Sequence, residues 1–297
     1  DEALALRKAK IKNEILVFSK LQKNNMEVAY KENIILNLSS FDDIDHIESF
    51  YSKNKVSPRY HLKFDTGMTR LGFDLNDAEA VYESLSKPLH PYIEGIYTHF
   101  ATADEGDLSY AKKQLSDFKM VVRKVESFGL KFKFIHCSNS GAVLNLEKSY
   151  FNMVRVGMLL YGALPSNEVI DNIGIKPVMS FCGSIVNVRK VKKNTPVSYG
   201  GVYKTASDTN IAVIQTGFAD GFPRPWFENG YVIYNGEKFK IAGRVCMDQL
   251  MIDFGDVVPE LGDDVLFFGE NHIGHLPVEI IADQINSTPY VLFTALG

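Results

Sequence analysis

The texture of this chain changes once, at Leu164-Pro165, and the change calls for two architectures in succession. Before it, short apolar runs alternate with charged amphipathic stretches. The runs Glu14 to Phe18, Asn33 to Leu38, Arg59 to Phe64, Ile93 to His99, Lys133 to Cys137 and Met153 to Tyr161 read as strands. Between them, Asn76 to Ser86 and Leu108 to Ser127 read as helices. The second sets Leu115, Phe118, Val122 and Val125 at three- and four-residue steps, the spacing of one buried face. Alternating strands and helices imply a parallel sheet. A closed barrel of this kind needs eight strands. Six strands, with Glu2 to Lys10 as the helix of an earlier unit, therefore predict an α/β, TIM-like (β/α)8 barrel whose first two strands are absent from this chain. An open doubly wound sheet is the alternative.

Beyond Pro165 the runs shorten and no long helical pattern intervenes. Cys182 to Val191, Asn210 to Gln215, Gly230 to Asn235, Phe239 to Ala242, Leu250 to Phe254 and Asp264 to Phe268 are punctuated by Asn235-Gly236 and Gly262-Asp263. Tight spacing with turn residues predicts a mainly β C-terminal domain. Ile280 to Ile285 reads as one late helix. The expected domains are residues 1–170 and 171–297.

A net charge of -4 leaves no electrostatic footprint for nucleic acid. No apolar run approaches the roughly 20 residues that span a bilayer, so no membrane partner is expected. Cys137, Cys182 and Cys246 are an odd, widely spaced set that indicates neither a disulfide framework nor a metal site. A reduced, cytoplasmic protein is the expectation.

In a (β/α)8 barrel the chemistry gathers at the carboxyl ends of the strands, with phosphate near the loops after strands 7 and 8. Counted back from the domain change, those loops open at His136-Cys137-Ser138-Asn139-Ser140-Gly141 and at Val154-Arg155-Val156-Gly157-Met158. Ser140 and Gly141 can offer a hydroxyl and closely approaching N–H groups to a phosphate. Gly157 and Met158 can offer N–H groups from the other side. The plainer reading of Ser-Asn-Ser-Gly is a strand-to-helix turn with an N-cap serine.

Several runs, in order along the chain, resemble the alanine racemases, which are pyridoxal 5'-phosphate enzymes. They are His61-Leu62-Lys63-Phe64-Asp65-Thr66-Gly67-Met68-Thr69-Arg70-Leu71-Gly72-Phe73, Thr98 to Asp104, His136 to Gly141, Val154-Arg155-Val156-Gly157, Val197-Ser198-Tyr199-Gly200-Gly201-Val202-Tyr203, Gly217 to Arg224 and Gly243-Arg244-Val245-Cys246-Met247-Asp248-Gln249-Leu250-Met251. The resemblance implies interconversion of L- and D-alanine by two acid–base groups on opposite faces of the cofactor. It also implies a small-molecule amino acid as substrate and a homodimer with shared active sites, supplying D-alanine for peptidoglycan.

By the same resemblance, Tyr199 is one acid–base group, supplied by the partner subunit, and the Schiff-base lysine is the other. A phenol has an ordinary pKa near 10, so cationic or hydrogen-bonding neighbours must assist its ionisation; His99 and Arg70 match residues near it. Arg155 matches the arginine that meets the pyridine nitrogen. A guanidinium only donates hydrogen bonds, so that nitrogen stays unprotonated and the ring is a weaker electron sink. Arg70 also matches a group near the substrate carboxylate, as does the Met247 backbone N–H, while Tyr290 matches a tyrosine that reaches the phosphate. Lys63 matches a lysine that some members carry as a carbamate.

The chain departs from the pattern at Phe218, where the family carries tyrosine. It also holds no lysine in the Lys-x-x-x-Tyr-Gly-His-Gly context and no final Arg-Val-Pro-Arg. The sequence is therefore expected to represent part of a longer enzyme. The competing readings are a broad-specificity amino-acid racemase, a pyridoxal-phosphate decarboxylase of the same architecture, a binding protein built on the barrel alone, and a catalytically inactive pyridoxal-phosphate-binding homologue. Arg155 argues against the decarboxylase, which sets a carboxylate at the pyridine nitrogen.

Overall fold

The computed structural model describes residues 1–169 and 173–296. It divides into two compact units, Asp1–Val156 and Gly157–Gly297. The domain boundary expected between residues 170 and 171 lies outside the described residues.

The first unit contains α1 (Glu2–Lys8), β1 (Ile15–Val17), α2 (Met26–Lys31), β2 (Ile34–Leu38), α3 (Phe41–Asn54), β3 (Arg59–Lys63), α4 (Ala78–Ser84), β4 (Ile93–Tyr97), α5 (Ser109–Ser127), β5 (Phe134–His136) and α6 (Ser140–Asn145). The strands form one parallel sheet in the sequential order β1-β2-β3-β4-β5. A doubly wound sheet reverses its strand order at a switch point. No reversal occurs here, so the sheet is an arc of a (β/α) barrel. Every residue of β2 is buried, as both faces of a covered parallel strand must be. Helix α3 starts where Ser40 accepts the Asp43 N–H, and it ends at Lys55 in the left-handed region. On α5, Ala111, Leu115, Phe118, Val122 and Val125 are buried together, as their spacing predicts.

Register decides what meets at the strand ends. Lys63 lies beside Tyr97, and Tyr97 beside His136. His61 lies beside Gly95, where any Cβ would fall 2.6 Å from the His61 ring. Gly95 is therefore required for that imidazole to occupy the interior.

One expectation fails. Met153 to Tyr161 is not a strand: it gives a single bridge, His136↔Met153, and then a 3-10 turn at Met158–Tyr161. The backbone follows β5 only as far as the bond from the Arg155 N–H to the Ser138 carbonyl (2.9 Å). At Gly157 it turns away (φ -129°, ψ -76°).

The second unit contains β6 (Phe181–Val191), β7 (Pro196–Val197), β8 (Tyr203–Lys204), β9 (Thr209–Ile214), β10 (Tyr231–Tyr234), β11 (Glu237–Ile241), β12 (Leu250–Asp253), β13 (Asp264–Asn271), β14 (Gly274–Leu276), α7 (Val278–Gln284) and α8 (Pro289–Thr294). Seven strands pair antiparallel in the order β10-β11-β12-β9-β6-β13-β14. A further pairing, Ile233↔Leu266, joins β10 to β13 and closes the sheet on itself. Asn235 and Gly236, both at positive φ (49° and 81°), make the tight turn between β10 and β11. Phe222, Trp226, Phe254 and Phe267 fill the interior. The Trp226 indole N–H donates to Gln284 on α7. The single late helix expected at Ile280 to Ile285 is α7, and α8 follows it as a second.

Candidate active site

At the carboxyl ends of β3, β4 and β5 the first unit assembles a dense polar cluster around Arg155. Its Nη1 donates to His136 Nδ1 (2.7 Å). Its Nη2 donates to the Thr98 carbonyl (2.8 Å) and lies 3.2 Å from His99 Nδ1 and from the Cys137 carbonyl. The guanidinium also faces the rings of Tyr97 and Phe18, at 5.4 and 5.7 Å. Because arginine only donates, both histidines must turn a lone pair toward it and carry their protons on Nε2. His136 Nε2 meets His61 Nδ1 (2.8 Å), so His61 is also fixed as the Nε2–H form. That last nitrogen is buried without a partner among the described residues.

Burial and the Arg155 charge keep these rings neutral. His99 is pushed down to about 4, first by burial and then by Arg155, Arg70 and Lys63. Burial likewise lowers His61 to about 4, and His136 is driven further in the same direction. Arg155 itself falls to about 10 on burial. Lys63, only 4% exposed, is lowered to about 8 by burial and by the Arg70 and Arg155 charges. Among the described residues no carboxylate pairs with Arg155.

Arg70 rides at the rim, on a loop that returns to its own strand through bonds between Asp65, Phe73 and Lys63. The loop is wound about one carboxylate: Asp65 Oδ1 accepts the N–H groups of Gly67, Met68 and Thr69 at 2.8, 2.9 and 3.1 Å. Gly67 needs its φ of +129°, and a side chain there would strike the Tyr110 hydroxyl. Ser140 is buried at the start of α6, but the cap of that helix is Asn139, whose Oδ1 accepts the Ala142 N–H (3.0 Å). Gly141 is fixed by packing, since a Cβ would meet Ala103 and Asp104 at 2.8–2.9 Å.

The second unit carries the remaining predicted residues. Gly157 lies against Tyr290: a Cβ at 157 would sit 2.4 Å from the tyrosine hydroxyl. The fold thus pairs two residues separated by most of the unit. The Met158 side chain belongs to the core, which leaves only its backbone for a ligand. Tyr199 opens a 3-10 turn and is 66% exposed. Ser198, just before it, has φ +61° and donates its hydroxyl to the Arg244 carbonyl. Met247 is 58% exposed. The Met247 and Cys246 carbonyls accept the Ala219 and Phe218 N–H groups, which joins two motifs distant in sequence. Phe218 faces the Arg224 guanidinium at 5.6 Å.

Sequence reasoning missed three supporting groups: Asp65, the His136–His61 relay and Gln114. The last had a visible signal, a lone amide within the apolar stripe of α5.

Residues 1–165 match the profile of the alanine racemase N-terminal domain, and residues 178–297 that of the C-terminal domain. The chain belongs to the alanine racemase family. Its similarity to the alanine racemase of Desulforamulus reducens is 36% identity over 299 residues, covering 100% of this chain and 80% of that protein. The crystal structure of alanine racemase from Bacillus anthracis with bound L-Ala-P superposes with a TM-score of 0.88 at 33% identity, covering 100% of this chain and 77% of that one. The enzyme from Bartonella henselae with covalently bound pyridoxal phosphate gives 0.87 at 27%, covering 100% and 80%. Alanine racemases are pyridoxal-phosphate-dependent isomerases, and the match across both domains sets aside the reading as a barrel alone.

Proposed function

We propose that this chain is the main part of an enzyme that interconverts L- and D-alanine with pyridoxal phosphate. The observation that carries the reading is the Arg155 guanidinium, which donates to imidazole nitrogens and carbonyls and which no carboxylate among the described residues neutralises. Three cationic side chains, Lys63, Arg70 and Arg155, with neutral histidines between them, fit a ligand that is anionic and rich in lone pairs. Arg155 would meet the pyridine nitrogen. Ser140, the Gly157 and Met158 backbones and Tyr290 would hold the phosphate. The bound cofactor makes the α-C–H of an amino acid acidic.

The protein's own groups then move the proton. The partner subunit's Tyr199 takes or returns it on one face, and His99, whose proton is on Nε2, can donate to the phenolate. Arg70 and the backbone N–H of the partner subunit's Met247 hold the substrate carboxylate. The exposure of Tyr199 and Met247 supports a homodimer in which each copy completes the other's site. The reading requires a lysine on the opposite face, and no lysine of these 297 residues stands in the family's lysine motif. A cytoplasmic enzyme supplying D-alanine for the cell wall follows from the same reading. Among the described residues no helix is long and apolar enough to cross a membrane.

Lys63 is mainly cationic at neutral pH, but its pKa, lowered to about 8, leaves a minor neutral fraction of the amine that can add carbon dioxide. A carbamate there would place an anion beside Arg70. ¹³C-bicarbonate should give a carbamate NMR signal that disappears in Lys63→Ala.

The deciding experiment is optical rotation of L-alanine with the full-length gene product and pyridoxal phosphate. Loss of rotation to zero is expected. Unchanged rotation with cofactor bound would favour the inactive homologue. Faster turnover of serine or lysine than of alanine would favour the broad-specificity racemase, a reading that Phe218 keeps open.

A further inference from the structure

Helix α5 buries one amide completely. Gln114 is 0% exposed, yet it lies in a stripe otherwise made of Ala111, Leu115, Phe118 and valines. An amide buried there without partners would be costly, and here every group is used. Oε1 accepts the Ala101 N–H (3.0 Å), while Nε2 donates to Thr66 Oγ1 and to the His99 carbonyl, both at 3.2 Å. The orientation of the amide is unambiguous, because an N–H must face oxygen and a carbonyl must face nitrogen.

The three partners lie on two different loops. Thr66 begins the segment that carries Arg70, while His99 and Ala101 belong to the segment after β4. Thr66 Oγ1 also meets Thr98 Oγ1 (2.8 Å), and the Thr98 carbonyl accepts from Arg155. A single side chain from the outer helix thus joins the supports of Arg70, His99 and Arg155.

We propose that Gln114 is a positioning residue that locks the Arg70 and His99 loops to one another. The proposal rests on the roles given above to Arg70 and His99, and it acts through them: Gln114 does not touch the reacting atoms. Arg70 is the member of these loops that meets the substrate carboxylate, so their coupled disorder should appear chiefly as poor handling of that carboxylate.

Two variants of the full-length enzyme test this. Gln114→Met keeps length and bulk but forms none of the bonds. Gln114→Glu keeps the acceptor for Ala101 but needs a protonated carboxyl to donate toward the His99 carbonyl. Hydrogen exchange on the cofactor-free protein should show residues 65–73 and 98–104 losing protection together in Gln114→Met, at least tenfold, with the β6–β9 pairing unchanged. KM for alanine should rise at least fivefold, while kcat changes about twofold. In Gln114→Glu, the ratio of KM to the wild-type KM should climb toward that of Gln114→Met as pH rises from 6 to 9.

Unchanged protection, or loss in one segment only, overturns the lock. Loss of protection with unchanged KM overturns the positioning role. If Gln114→Met does not fold, the Glu variant decides alone, and a ratio of its KM to the wild-type KM that is independent of pH overturns the proposal. An inactive wild-type enzyme would defeat the functional reading instead, and the exchange data would still decide whether the two loops are locked.

Discussion

Arg155 in the α/β unit is half-buried and donates to two carbonyls and two imidazoles. Tyr199 in the β unit is two-thirds exposed, and its hydroxyl has no hydrogen bond among the described residues. The first residue is held by its side chain, the second only by its backbone. The difference separates two ways of building a site. Where a functional group is also a hub of buried hydrogen bonds, removing it damages fold and function together. Where it projects from a constrained turn, function can be lost with the fold intact.

The largest expected effect is on Tyr199. Tyr199→Phe should lower the rate from L-alanine by about 10²–10⁴-fold, the usual worth of a positioned acid–base group. The exposed hydroxyl contributes almost nothing to stability, so the change there should stay within about 0.5 kcal/mol. Initial rates in both directions and a thermal melt check this. Full activity in both directions would remove Tyr199 from the mechanism, and a melt several degrees lower would erase the contrast between the units.

Arg155→Met should behave in the opposite way. It leaves His136 Nδ1 and the Thr98 and Cys137 carbonyls without their donor, and unsatisfied buried groups cost about 1–3 kcal/mol each. A loss of about 3 kcal/mol in the urea stability of the cofactor-free protein is expected. An unchanged midpoint would mean that water replaces the guanidinium at little cost.

The same contrast explains what could be read in the sequence. The five paired strands of the first unit and six strands of the second follow from hydrophobic spacing and turn residues. Met153 to Tyr161 reads as a strand because its apolar content does, but Gly157 turns the chain away after one bridge. The exposed residues of the β unit, Tyr199 and Met247, were legible only through motifs, since their surroundings leave no periodic trace. In the α/β unit the motif supplied Arg70, His99 and Arg155. Their supports, Asp65, Gln114, His136 and His61, come together from separate strands and a helix. No local pattern announces a contact made by register, such as His61 against Gly95.

Acid should single out the α/β unit. His61 and His99 titrate near 4 when folded and near 6.5 when unfolded. Below 6.5 the unfolded chain takes up protons that the folded one refuses. The stabilisation is therefore complete above pH 6.5 and lost as pH falls toward 4, by on the order of 1.4 kcal/mol per pH unit for each histidine. Urea midpoints between pH 7.5 and 4.5 measure the slope, and His61→Gln should flatten it. An equal slope in that variant would assign the acid sensitivity to other groups.

The smallest effect concerns how the β unit aims its tyrosine. Ser198, with φ +61° and ψ -175°, occupies a region that side chains rarely visit. Its hydroxyl is tied to the Arg244 carbonyl, and Gly243 lies so close that a Cβ would fall 2.9 Å from that of Ser198. Strain of this kind typically costs about 1–3 kcal/mol, and the immediate neighbour of Tyr199 is where it would fix a direction. Ser198→Ala removes the tie but keeps the strain, whereas Ser198→Gly removes both. Glycine should therefore be the more stable of the two by about 1 kcal/mol, the reverse of the ordinary preference at negative φ. In the full-length enzyme both variants should slow proton removal from L-alanine, with glycine the slower despite its stability, because its turn is free to wander. If alanine were the more stable, Ser198 would not be strained. If the glycine variant matched the wild-type rate, the aim of Tyr199 would come from elsewhere, and the contrast between a site held by side chains and one held by backbone would fail.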